Sequence, residues 1–422
     1  MDSFEKSKEH ALGMLFFDQL DMRDRRIDIL GFVWFFLVSQ EGVMWYNTAI
    51  TQKEASNMNH STTYYLMNKD TCLLHFLCTR NSFDEPEFQE QAWLVANRPI
   101  GYIDLTVFLE QRKAPKHRQH IKELLERYGC DDLEGFLKVT HALSLNDTFW
   151  VKEAGSALTW EDVSLYQNEF DQLISEAAFD GTFSESDLSS TSPEFGTDGY
   201  YAKCWVREGR NIQLYKSGSS LYELEPLSEY FASQLVAVLC PDTVSYELDY
   251  YHGKLVSKCR LFTTETLGFA KASSVFRGER TIPALLKYFT SIGSEDAFRR
   301  MCVLDALILN PDRHYGNFGV LFNTDTMQVL KMAPVFDNNR SLFPELDDDQ
   351  LAKPEWYIQK CRPRLGKDFI VTARGLITVE IKQDLRNLAG FQFQPHPDIA
   401  ISKERIGALS QIVNHQIHAI LK

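Results

Sequence analysis

The run Leu309-Asn310-Pro311-Asp312-Arg313-His314-Tyr315-Gly316-Asn317-Phe318-Gly319 places an Asn five residues after an Asp. Downstream, Ala333-Pro334-Val335-Phe336-Asp337-Asn338 brings a second Asp, read as the end of an apolar strand. These residue types in this order suit phosphoryl transfer from a nucleotide. Asp312 can accept the proton of an attacking hydroxyl. Asn317 and Asp337 supply hard oxygens for Mg²⁺, the ion that must neutralise charge on the transferring phosphoryl group. The competing reading of Asp312 is a cap or turn residue behind Pro311, and Asn317 and Asp337 downstream weigh against it. His314 reads as structural within the loop and Arg313 as the neutraliser of a neighbouring carboxylate. Asp305 sits mid-helix with no chemistry assigned. Asp347-Asp348-Asp349 reads as a solvated acidic turn rather than a metal cluster.

A nucleotide also needs cationic and backbone contacts for its phosphates. Lys216 ends the apolar strand Asn211-Ile212-Gln213-Leu214-Tyr215, where it can reach phosphates lying under a sheet. Glu229, in the helix that follows, is the partner that would hold it there. Glu225 competes for that role, but a capping role suits it better, because negative charge is favourable near a helix N-terminus. Gly196-Thr197-Asp198-Gly199-Tyr200-Tyr201-Ala202-Lys203 is the candidate loop over the phosphates, with Gly199 and Lys203 as its binding residues. Glycines let backbone N–H groups approach an anion closely. An ordinary hairpin turn is an equal reading of the same run.

The elements that must position these residues are legible in outline. Residues 63–67 and 71–76 flank Asn68-Lys69-Asp70 as a hairpin. Apolar spacing predicts a helix over 116–128, stopping at Gly129, and another over 132–139. The Ser/Thr/Asp/Glu-rich stretch 184–193 is the clearest linker. Residues 199–214 read as two strands joined at 207–210, and 226–239 as a helix. Strands near 244–248 and 255–262 follow, then helices around 282–292 and 295–310 and a mainly helical end. The expected fold class is α+β: a two-lobed, protein-kinase-like arrangement with an N-terminal mixed α/β region and a mainly helical C-terminal lobe. The expected organisation is an extension of unknown role over 1–60, an α/β region over 61–183, a linker over 184–195, an N-lobe over 196–280 and a helical C-lobe over 281–422.

A chain of 422 residues can bury a large core in two or three packed units. Its formal charge of −14 argues against broad electrostatic binding to nucleic acid or anionic lipid. The eight cysteines show no C-x-x-C pair and read as reduced, mostly buried thiols of a cytoplasmic protein. The longest apolar run, 29–38, is about half of the ~20 residues a spanning helix needs, so no membrane contact is expected.

Taken together, these residues resemble the HipA-like serine/threonine kinases of bacteria. In that family the catalytic loop carries Asp, then His two positions on and Asn five positions on, as Asp312, His314 and Asn317 do. Its second metal-binding Asp follows a Pro and an apolar pair, like Asp337. Lys216 and Glu229 fall where the family's ATP-contacting lysine and its helical partner would be. Runs such as Leu143-Ser144-Leu145-Asn146-Asp147-Thr148-Phe149-Trp150 and Glu225-Pro226-Leu227-Ser228-Glu229-Tyr230 are similar to a branch with its own N-terminal region. The resemblance covers roughly residues 60–350. It implies ATP- and Mg²⁺-dependent phosphorylation of a serine or threonine on a protein substrate, with autophosphorylation, and in some members a growth-arresting toxin held by an antitoxin or regulatory protein. The toxin's serine-bearing loop differs from the one here, and Ser189, Ser190, Thr191 and Ser192 lie just upstream as substitutes. No direct contact with nucleic acid is expected of the chain itself. The alternatives are a phosphoinositide-type lipid kinase, which writes its catalytic loop Asp-Arg-His-x-x-Asn, a small-molecule kinase, and a nucleotide-binding pseudokinase scaffold.

Overall fold

The computed structural model describes residues 61–182, 192–221 and 223–422, together with the backbone of two strands nearer the N-terminus. The chain divides into two units, Met1–His60 and Ser61–Lys422. In the first, strands β1 (Trp34–Ser39) and β2 (Gly42–Asn47) pair as an antiparallel hairpin. The role expected of residues 1–60 otherwise lies outside the described residues.

The second unit starts with the antiparallel sheet β5-β4-β3-β6, built from β3 (Thr62–Asn68), β4 (Thr71–Arg80), β5 (Pro86–Trp93) and β6 (Phe149–Glu153). The expected hairpin around Asn68-Lys69-Asp70 is β3–β4. Three helices lie between β5 and β6: α1 (Leu105–Glu110), α2 (Ile121–Arg127) and α3 (Leu133–Thr140). Helix α2 begins at Ile121 rather than 116. The apolar spacing starts only there, and the preceding turn spends its amides elsewhere, Gln119 N donating to the Tyr200 carbonyl at 2.9 Å. Helix α4 (Gln172–Asp180) closes this region. Of the expected linker, 184–191 lie outside the described residues, whereas Pro193, Glu194 and Phe195 form a buried 3₁₀ turn.

The next sheet, β7-β8-β10-β9, comprises β7 (Lys203–Glu208), β8 (Asn211–Ser217), β9 (Tyr246–Tyr251) and β10 (Lys254–Arg260). A two-residue turn at Gly209-Arg210, with Gly209 at φ +60°, joins β7 to β8. Helix α5 (Glu225–Leu239) packs on this sheet, and Leu227, Phe231 and Leu235, whose four-residue spacing lines them up on one face, are buried as well, with Phe231 5.0 Å from Phe393 between ring centres. Burying such side chains contributes about 1.5–3 kcal/mol each.

A third sheet, β11-β12-β13, holds β11 (Leu267–Lys271), β12 (Gly319–Asn323) and β13 (Gln328–Met332). The helical part includes α6 (Ile282–Ser291), α7 (Glu295–Leu307), α8 (Phe369–Leu376), α9 (Val379–Asn387) and α10 (Lys403–Leu421). Helix α7 is its centre, buried from Met301 through Leu307 and packed on α6, α8 and α10. It stops at Leu307, short of 310, because Pro311 bars continuation and Leu309 turns left-handed at φ +50°. The architecture is α+β, with antiparallel sheets whose last strand ends at Met332 and a helical part built around α7. All eight cysteines are free thiols, six of them buried. Among the described residues, no helix is long and apolar enough to cross a membrane.

Candidate active site

A cleft of about 1260 Å³ opens between the β7–β10 sheet and the segments around Asp312 and Asp337. Lys203, Lys216, Gly199, Asp312, Asn317 and Asp337 all line it. Its inner wall is apolar, made by Leu214, Val244, Tyr246, Phe262, Phe269 and Phe336. Phe336 lies 5.6 Å from Phe262 and 5.4 Å from Phe269, ring centre to ring centre.

Strand register explains the cationic roof. With Glu208 opposite Asn211, Lys203 of β7 falls directly opposite Lys216 of β8, and Ser257 of β10 falls opposite Lys216 on its other side. Lys216 Nζ donates to Glu229 Oε1 at 2.6 Å and to Asp337 Oδ1 at 2.7 Å. Glu229 is fully buried behind Lys216 and also accepts a hydrogen bond from the Ser257 hydroxyl. The two anions outweigh burial and hold the Lys216 ammonium well above the ordinary lysine range. Burial pushes the Asp337 carboxyl up, but Lys216 and Lys203 prevail and hold it down at about 2. Lys203 has no such carboxylate. Burial, and then the facing Lys216 ammonium, pull it down to about 7, and its Nζ donates to the Asp198 carbonyl at 2.8 Å.

The neighbouring acids sort themselves by contact. Glu225, the first residue of α5, accepts from the Ser219 amide at 2.9 Å and thereby secures the loop between β8 and α5. Gly199 sits at φ +116°, and a Cβ there would come within 1.8 Å of Lys203 Nζ. Only a glycine lets the lysine approach that backbone.

The floor is organised by Arg313, which is buried and faces Asp305 in α7. Arg313 Nε lies 3.2 and 3.1 Å from the two Asp305 carboxylate oxygens, and its Nη2 lies 3.0 Å from Oδ1. Its Nη1 donates to the carbonyls of Asn317 at 3.0 Å and Phe336 at 2.6 Å, while Nη2 also donates to Asn338 Oδ1 at 2.5 Å. One guanidinium nitrogen therefore draws together the backbones on which Asn317 and Asp337 stand. Asp337 does not end a strand: β13 stops at Met332, and the chain then makes a single parallel bridge, Thr243 to Val335. Asp337 itself is left-handed at φ +58°, a conformation that costs about 1–3 kcal/mol unless its surroundings impose it. Arg313 and the Tyr246 hydroxyl, which accepts from Asp337 N at 3.2 Å, do so.

Asp312 is partly exposed and lies 3.3 Å from Arg364 Nε. Asn317 Nδ2 donates to the Asp312 carbonyl at 3.1 Å, so Asn317 keeps its side-chain oxygen for another partner. His314 Nδ1 accepts from Gly316 N at 3.0 Å, a structural part within the loop. Asn317 and Asp337 present hard oxygens, and Mg²⁺ suits such a site, since it takes one or two protein oxygens and fills its shell with phosphate and water. Asp347 instead caps a short helix, accepting from Gln350 N at 2.8 Å, and Asp348 pairs with Arg405 at 2.9 Å.

Sequence reasoning missed Ser257, Tyr246 and Arg364 as neighbours of the site, and Asp305 as the partner of Arg313. Only Ser257 left a usable trace, through the strand register. Ser189, Ser190 and Thr191 lie outside the described residues, and Ser192 is buried.

No family model matches the chain, and no curated protein does. Among solved structures, the Helicobacter pylori proinflammatory kinase CtkA is similar at 18% identity and a TM-score of 0.40, over 52% of this chain and 92% of that one. The Shewanella oneidensis MR-1 toxin–antitoxin system HipA, solved with HipB and operator DNA, is similar at 11% identity and a TM-score of 0.47, over 85% of this chain and 96% of that one. The structural neighbours thus include HipA, after which the resembled family is named. The likeness is one of backbone path, and it brings no activity or residue role to this chain. It also lends nothing to the expectation that the chain keeps clear of nucleic acid.

Proposed function

We propose that this protein is an ATP- and Mg²⁺-dependent phosphotransferase that acts on serine or threonine hydroxyls of proteins, itself included. The observation that supports it most is the Lys216 ammonium held between buried Glu229 and cleft-lining Asp337, with Asp312 and Asn317 on the same cleft. The apolar wall around Phe262 and Phe336 suits a flat base, and Lys216 and Lys203 suit the phosphates beyond it. Glu229 keeps the Lys216 ammonium charged and in place. Asp312 takes the proton of the attacking hydroxyl as the new P–O bond forms and the bond to the departing diphosphate breaks. Asn317 and Asp337 would hold Mg²⁺, which when bound would supply neutralising charge for the phosphates. Because positioning and electrostatics supply most of the rate in such reactions, the buried Arg313 scaffold matters as much as the base. The motif resemblance extends this reading to an antitoxin or regulatory protein as partner.

The experiment is incubation of purified protein with Mg²⁺ and γ-labelled ATP, followed by intact mass and phosphopeptide mapping. Phosphate on serine or threonine is expected in the wild type. Asp312→Ala should lose at least ~10²-fold of the rate while still binding nucleotide. Full turnover in that variant would remove Asp312 from the role.

A further inference from the structure

The segment 194–203 brings Gly199 and Lys203 to the cleft, and it is fastened from outside the sheet it enters. Arg118, in the turn before α2, has a side chain wholly shut off from solvent. Its Nη1 donates to the Glu194 carbonyl at 2.7 Å and the Thr197 carbonyl at 3.3 Å. Its Nη2 donates to Glu194 Oε2 at 2.9 Å and the Lys203 carbonyl at 2.6 Å. A single guanidinium thus reaches the start, the middle and the end of the segment. Two backbone bonds run the same way, Ala114 N to the Phe195 carbonyl at 2.7 Å and Gln119 N to the Tyr200 carbonyl at 2.9 Å. The other oxygen of Glu194 accepts from Trp205 N at 2.7 Å, so the carboxylate ties β7 to the same guanidinium.

We propose that Arg118 is a positioning residue for nucleotide binding, and that the α/β region of residues 61–182 is thereby a structural part of the phosphate-binding loop. This rests on the phosphotransferase reading of the cleft. Without the guanidinium, the Thr197 and Lys203 carbonyls and one oxygen of the buried Glu194 carboxylate lose that donor, the Glu194 carbonyl keeps only the Thr197 amide at 3.3 Å, and replacement donors come only by opening the segment to water. Opening it moves Gly199 and Lys203 away from the cleft. A lysine at 118 offers a point charge in place of a planar fork, so it cannot serve acceptors spread from residue 194 to residue 203.

The test uses the full chain with Arg118→Lys and, as a milder variant, Thr197→Val. The latter removes the hydroxyl that accepts from Trp205 Nε1 at 2.9 Å and donates to the Pro193 carbonyl at 2.7 Å. ADP affinity, the KM and kcat for ATP, and amide hydrogen exchange over 196–202 and over α7 are measured. For Arg118→Lys, a roughly tenfold weaker ADP affinity and higher KM are expected, with kcat within about threefold. Exchange should rise over 196–202 and stay unchanged over α7. Thr197→Val should move the same readouts in the same direction by about threefold, and it decides the matter if Arg118→Lys does not fold. Wild-type ADP affinity and wild-type loop exchange in a folded variant would overturn the proposal. So would an equal rise over α7, which would make Arg118 a support of the whole fold. If the wild type binds no ADP, the phosphotransferase reading fails, and loop exchange alone then upholds or overturns the clamp.

Discussion

Nucleotide binding should draw a proton from solution, and Lys203 is the residue that takes it. In the free protein burial and the facing Lys216 ammonium hold Lys203 at about 7, against about 10.4 for a free lysine. At pH 8 it is therefore about 90% neutral, by the ordinary titration relation. Phosphate oxygens entering beside it favour the charged form and push its pKa back up. Binding ADP at pH 8 should then take up about 0.9 proton; at pH 6 Lys203 is already charged and takes up only about 0.1, while the half-protonated terminal phosphate releases up to about 0.5, so the sign of the net count reverses. The terminal phosphate, with a second pKa of about 6, is deprotonated at pH 8 and does not obscure the count. Calorimetric titration in buffers of different ionisation enthalpy gives the proton number directly. Lys203→Met keeps the chain length and removes the ammonium, so uptake should vanish while some affinity remains through Lys216. Uptake near zero at pH 8 in the wild type, or equal uptake in Lys203→Met, would refute the placement of Lys203 against the phosphates.

Two further outcomes follow from the geometry. Asp305→Ala strands the buried Arg313 guanidinium and should cost about 3–5 kcal/mol in a denaturant titration, and Arg313→Met with Asp305→Leu should not restore stability, because the Asn317 and Phe336 carbonyls and Asn338 Oδ1 then lose that donor; a single-variant cost below ~1 kcal/mol would show that the pair is not the bolt described. Gly199→Ala adds about 1–3 kcal/mol of backbone strain at φ +116° and displaces the Lys203 ammonium, so ADP affinity should fall; unchanged affinity by calorimetry would mean the loop is not a phosphate contact.

Much of the roof of the cleft was readable from the chain. The strand pattern around 199–214 puts its turn within 207–210, and the two-residue turn at Gly209-Arg210 is what sets Lys203 against Lys216. Glu229 lies two residues from both Leu227 and Phe231, hence on the other side of α5, where it meets Lys216 and Ser257 of the sheet. The floor is different in kind. Lys216 and Asp337 are 121 residues apart and bond directly, while the backbone on which Asp337 stands is held by Arg313, whose own partner Asp305 lies on α7. No local pattern encodes that Arg313 Nη1 will bridge the carbonyls of residues 317 and 336, so Asp337 looks like a strand end when it is a left-handed residue beyond one. Arg118 was illegible for the same reason. In the chain it sits among charged residues that continue a helix by spacing, yet its side chain serves acceptors 76 and 85 residues away. Tertiary hydrogen bonding overrode local periodicity there, which is why α2 starts late.

Bulk charge misleads about this cleft, and the reason is one of length scale. A chain with a formal charge of −14 repels anions at a distance, and on that ground broad binding to polyanions is disfavoured. Yet Lys203, Lys216, Lys271, Arg280, Arg340 and Arg364 all line the cleft, against Asp198, Asp312 and Asp337. At about 0.15 M salt the Debye length is about 8 Å, so an anion inside feels these groups while most of the acidic surface is screened. Low-dielectric walls such as Phe262 and Phe336 strengthen the local field further. The site's own acids are either matched to a cation at close range, as Asp337 is to Lys216 and Asp312 to Arg364, or paired with Lys271, as Asp198 is. An acidic protein can in this way keep an anion-binding cleft, and overall charge bears on extended polyanions without bearing on a small one.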